Sequence, residues 1–118
     1  MPADSNSDQR CPFCAILSGE EPGEILDRND ELQFALIKSI HPEASVHLLA
    51  IPTRHVGSTE ALEAENREML LQLVDYAISQ GHALVDEFPK LQQGFTLKMH
   101  FGSYESVPHA KLHILGME

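Results

Sequence analysis

The apolar positions after residue 23 first come in short bursts. "EILDR" and "LQFALI" are strand-like runs separated by Asn29-Asp30, a hairpin signal. "SVHLLAIP" is a third strand, closed by Pro52. From about Glu63 to Glu87 the period changes. Met69, Leu70, Leu73, Val74, Ala77, Ile78, Leu84 and Val85 recur near every 3.6 residues with Glu and Gln between them, which predicts one long helix. Gly81 lies inside that helix and weakens its second half, and Pro89 ends it. "GFTLKMHF" alternates as a strand does; after the turn "GSYES", "HAKLHILG" is the final strand. The opening "CPFCAILSGEEPGE" reads as turn-rich, broken at Ser18-Gly19 and Pro22-Gly23. Strands, a long helix, then strands again predict an α+β domain with a largely antiparallel sheet.

The chain has 118 residues, the size of one domain. That domain is expected over residues 11–118, after a polar lead-in over 1–10 expected to be disordered. No apolar run reaches the ~18 residues of a membrane span. The lead-in has no apolar stretch that could act as a signal peptide, so the expected compartment is the cytoplasm. A formal net charge of −10, from 18 acids against 8 bases, excludes nucleic acid and anionic membranes as expected partners. A small anionic ligand stays open if one pocket carries local positive charge. Seven histidines are the unusual feature of the composition.

Two stretches carry candidate chemistry. "CPFC" is a Cys-x-x-Cys, readable as half of a metal site, as a redox motif or as ordinary thiols. A tetrahedral metal site needs two further ligands, and His55 in "PTRHV" and His109 are candidates. "SVPHAKLHIL" places His109, Lys111 and His113 on one face if it is a strand. As a helix it would let the two histidines share a metal, but Ala110 stands where the general base of HExxH belongs. In a strand they are about 13 Å apart, at ~3.3 Å per residue, too far to ligate one ion.

Taken together, "CPFC", "IHPEASVHLLAIPTRHV", the long helix and "SVPHAKLHIL" resemble the histidine triad (HIT) superfamily, in its Hint-like branch, over nearly everything after residue 10. The resemblance implies a structural zinc held by Cys11, Cys14, His55 and His109, tying the N-terminus to the last strand. It implies a purine nucleotide or nucleotide conjugate as ligand, and a homodimer formed through the long helix and a strand. It also implies that the middle member of the triad is the nucleophile, attacking the α-phosphorus of a nucleotide. Here that position is Lys111.

Two further departures accompany it. Ser39 stands where the family commonly has an acid that holds the ribose hydroxyls, and Glu105 stands where a neutral polar residue is usual and could repel a phosphate. Ser106 is expected to donate to a phosphate oxygen, and His113 to contact the phosphate or act as acid. His100 is expected to face the same pocket, with Ile37 and Ile40 as walls for a base. His47 is expected to be a hydrogen-bonded interior histidine, and His41 and His82 to lie on the surface. Five residues follow His113, which leaves the substrate side open on this reading.

A lysine nucleophile must first lose its proton. With an ordinary pKa of about 10.4, the neutral amine costs roughly 4.6 kcal/mol at pH 7. A lysyl amine is also a poorer leaving group than imidazole. The expectation is therefore a nucleotide-binding protein with weak or lost hydrolysis, whose protonated Lys111 holds phosphate as a point charge. The alternatives are an active nucleotidyl hydrolase or transferase working through Lys111, and a zinc-stabilised interaction module that binds no nucleotide.

Overall fold

A computed structural model describes residues 11–116; the lead-in over 1–10 lies outside the described residues. Strands β1 (Ile25–Asn29) and β2 (Phe34–Lys38) form the expected hairpin. Its turn is closed by the Asn29 side chain, which accepts the Leu32 N–H at 2.9 Å, and by Gln33 in the left-handed region at φ 63°. Strand β3 (Val46–Pro52) pairs with β2. After it in the chain come β4 (Phe95–Lys98) and β5 (Leu112–Gly116), and β5 lies between β3 and β4. The sheet has the order β1-β2-β3-β5-β4 and every neighbouring pair is antiparallel.

Three helices differ from the sequence reading. The opening is not merely turns: α1 (Pro12–Ser18) forms because Cys11 caps it through its thiol, Pro12 occupies the first turn, and Gly19 ends it at φ 86°. The long helix is two helices, α2 (Thr59–Glu65) and α3 (Arg67–Ala83). Asn66 interrupts them at φ −158°, and its side chain caps α3 by accepting from the Met69 N–H. Helix α3 stops at Ala83, short of the expected Glu87, and Pro89 opens a 3-10 turn instead.

Core packing fixes the frame of the site. Leu70, Leu73, Tyr76 and Ala77 of α3 bury against one face of the sheet, on Phe34, Leu36, Leu48, Leu112 and Ile114. Each such side chain contributes about 1.5–3 kcal/mol by leaving water. The other face carries a smaller cluster, in which Phe13 and Ile16 of α1 pack on Ala35, Ile37, Leu49 and Ile51. Strand β3 is buried on both faces, which is why its sequence is nearly continuous in apolar residues. Gly81 lies inside α3 with the ring of Phe95 against it: a Cβ there would lie 2.6 Å from the ring, so the position has no room for a side chain.

Candidate functional site

The face of the sheet that carries α1 also carries the candidate chemistry. Period-two alternation puts Leu112 and Ile114 under α3, so Lys111 and His113 point the other way. The hydrogen-bonded strand begins only at Leu112, later than the sequence reading. His109 and Lys111 lie in its approach, where the Ala110 N–H is held by the Val56 carbonyl at 2.7 Å.

One cluster gathers Cys11, Cys14, His55 and His109, whose donor atoms all lie within 4.8 Å of one another. Cys11 Sγ is 3.3 Å and Cys14 Sγ 3.6 Å from His109 Nδ1, and Cys14 Sγ is 3.2 Å from His55 Nδ1. With metal bonds of about 2.3 Å to sulfur and about 2.05 Å to nitrogen, tetrahedral S and N donors lie about 3.5 Å apart. His109 Nε2 donates to the Pro52 carbonyl at 3.0 Å, which leaves a lone pair on Nδ1 facing the sulfurs. Burial keeps this imidazole neutral, its pKa lowered to about 4, as a ligand requires. The four residues therefore fit a metal ion.

Beside this cluster, with Phe13 in its wall, opens a cavity of about 490 Å³. Of the expected pocket residues, Ser39, Ile40, His100, Ser106, Lys111 and His113 line it. Ile37 does not; it is 1% exposed and packs in the smaller core cluster. Sequence reasoning left out Pro12, Phe13, Leu49 and Tyr104, all of them lining residues; His41 is exposed, as expected, and also lines the cavity. Their signal was weak, because an apolar wall reads the same as core.

His47 is buried and hydrogen-bonded, and it orients His113. The Glu43 N–H donates to His47 Nδ1 at 3.0 Å, so the neutral His47 carries its proton on Nε2. That proton points to His113 Nδ1 at 2.9 Å. Neutral His113 is thereby held with its own proton on Nε2, which is buried and has no partner among the described residues. Burial, reinforced by the nearby His47 and His100, lowers the His113 pKa to about 4. The cavity thus contains one desolvated, neutral N–H donor awaiting an acceptor.

Lys111 is engaged differently. Its Nζ donates to Glu105 Oε2 at 3.0 Å and to the Val107 carbonyl at 2.9 Å, and lies 5.7 Å from the centre of the Phe13 ring. Glu105 also accepts from the Thr59 N–H at 2.6 Å and from its hydroxyl at 2.7 Å, at the start of α2. The two charged side chains are 6% and 2% exposed. Burial lowers the Lys111 pKa, while the Glu105 bond and charge hold it up. Glu105, expected to face the pocket, instead turns away from it and neutralises the lysine.

The backbone sets the class. A "HIT family hydrolase from Clostridium thermocellum" superposes with a TM-score of 0.75 at 26% identity, covering 93% of this chain and 92% of that one. A "HIT family hydrolase from Legionella pneumophila" gives 0.73 at 26% identity, with 92% and 94% covered. The sequence carries the comparison further. A family model described as "Scavenger mRNA decapping enzyme C-term binding" matches residues 10–118. "Adenosine 5'-monophosphoramidase HINT3" of Mus musculus is 28% identical over 115 residues, and that of Danio rerio is 30% identical over 114. These alignments take in 93% and 95% of this chain, but 65% and 68% of the relatives. The chain belongs to the histidine triad superfamily, on its Hint-like branch.

Proposed function

We propose that this chain binds a purine nucleotide or nucleotide conjugate in the histidine-lined cavity, with weak or lost hydrolysis. The observation that carries the reading is the Lys111–Glu105 ion pair. An ammonium held at 3.0 Å from a buried carboxylate and at 2.9 Å from a carbonyl has no lone pair to attack phosphorus. His113 does not replace it, because the relay from Glu43 and His47 leaves its inward nitrogen protonated. Binding remains: His113 Nε2–H and Ser106 line the cavity and offer donors to a phosphoryl oxygen. The relatives' printed activity, adenosine 5'-monophosphoramidase, supports the nucleotide class.

In this reading Cys11, Cys14, His55 and His109 hold a structural zinc, which when bound supplies cross-linking and no open coordination position. The protein works as a homodimer in the cytoplasm. Intact mass after incubation with an AMP phosphoramidate, with product release alongside, tests the reading. We expect no adduct and little product from the natural chain. Lys111→His alone leaves Glu105 buried without its counter-charge, so turnover should return most fully in Lys111→His/Glu105→Gln. A lysine-linked AMP on Lys111 would overturn the reading in favour of an active transferase. No binding of any adenosine phosphate would favour the interaction module.

A further inference from the structure

The histidine-lined cavity contains phosphate donors but no uncancelled cation. Among the described residues that line it, histidines apart, Lys111 is the cation and Glu43 the anion. Lys111 is balanced by Glu105, and Glu43 is paired with Lys98 of β4. Helix α1 contributes only the uncharged Pro12 and Phe13, and the 3-10 turn at Gly102–Tyr104 contributes the phenol of Tyr104. The remaining titratable groups facing the cavity are His41, His47, His100 and His113. Burial keeps His47 and His113 on the neutral side.

Such a cavity treats one and two negative charges very differently. The Born cost of desolvation grows with the square of the charge, so a dianion costs about four times as much as a monoanion to bring in. A single charge can be met by the neutral donors His113 Nε2–H and Ser106, and by the third hydrogen of Lys111, whose charge Glu105 already balances. A second charge has no counter-charge, because the ammonium that would answer it is already spoken for.

Resting on the nucleotide reading above, the structure assigns this cavity a charge filter: the Lys111–Glu105 pair makes it a site for singly charged phosphodiester-like groups that rejects doubly charged phosphomonoesters. Calorimetry on the full chain decides it, using AMP and the 5′-methyl phosphodiester of adenosine from pH 6 to pH 8. AMP loses its second phosphate proton near pH 6, whereas the diester keeps one charge throughout. The ratio of the AMP Kd to the diester Kd should therefore rise about fifty-fold over this interval. A charge on any lining histidine acts more strongly on a dianion than on a monoanion, so the ratio is also taken in His41→Gln/His100→Gln; the rise should persist there, and its loss would overturn the filter.

A flat or falling ratio, with both ligands bound, overturns the filter and leaves the nucleotide reading intact. No binding of either ligand overturns both. Glu105→Gln uncovers the Lys111 charge and should cut the rise to less than about tenfold; an undiminished rise would refute the role given to the pair. Where that variant does not fold, the unmodified chain alone gives the decision.

Discussion

Replacing Lys111 by Met should damage the fold more than its modest change in volume suggests, and the damage should be repaired by changing Glu105 as well. The pair lies at 3.0 Å with side chains 6% and 2% exposed. At an effective dielectric of about 20 its attraction is about 5 kcal/mol before desolvation is subtracted. Lys111→Met leaves the Glu105 carboxylate with its two Thr59 bonds but no counter-charge, at a cost of about 3–5 kcal/mol. Glu105→Gln leaves the ammonium with only the Val107 carbonyl and the Phe13 ring, at a similar cost. Lys111→Met/Glu105→Gln removes both charges and should return to within about 1.5 kcal/mol of the natural chain. Urea unfolding at pH 7 of all four proteins gives the coupling energy. Single effects that add to within about 0.5 kcal/mol would show that the two groups do not interact, and the argument for a captive lysine would fall with them.

Acid should destabilise the protein through His113. Its pKa of about 4 in the fold lies below the unfolded value of 6.5, so between those limits the unfolded chain binds more protons and stability is lost as the pH is lowered. The full loss is about 3 kcal/mol, and His113→Asn should flatten that part of a urea-by-pH series; an unchanged slope would place the effect elsewhere. Elemental analysis should find about one zinc per chain, lost in Cys14→Ser, and chelation should lower Tm. Because α1 carries both cysteines' ends of the cluster and the Phe13 wall, chelation should also weaken nucleotide binding; full affinity in the metal-free protein would refute that link. Gly81→Ala, which gains up to ~1 kcal/mol in an exposed helix, should here cost about 1–3 kcal/mol against Phe95 in urea unfolding. Stability equal to the natural chain would mean that the ring simply moves.

What the sequence made legible was whatever periodicity governs. Short apolar runs located β2 and β3, and alternation located β4 and the face of the last strand on which Lys111 and His113 stand. Spacing paired Cys11 with Cys14, donor type made His55 and His109 candidates, and the family resemblance joined the four that the fold brings together. Capping hid the rest. The Asn66 break and the α1 turn depend on side chains that bond backbone N–H groups locally, which a hydrophobic pattern does not register. Ile37 shows the converse limit: periodicity identifies it as inward-facing, but does not separate a cavity wall from the core behind it.

The partner of Lys111 was hidden for a related reason. Alternation says which way a side chain points, and says nothing about what waits there. Glu105 stands six positions earlier, across an irregular turn, and is aimed by Thr59, which lies 52 positions before Lys111. Taken one residue at a time, a lysine for a histidine suggests a new nucleophile, and an added carboxylate suggests a repelled phosphate. Taken as a pair, each supplies what the other lacks. The lysine gives the buried carboxylate its counter-charge, and the carboxylate opposes the downward pull of burial on the lysine pKa and occupies its ammonium. The two departures are therefore one change, and on the proposed reading its consequence is a nucleotide site that keeps its donors while losing its nucleophile.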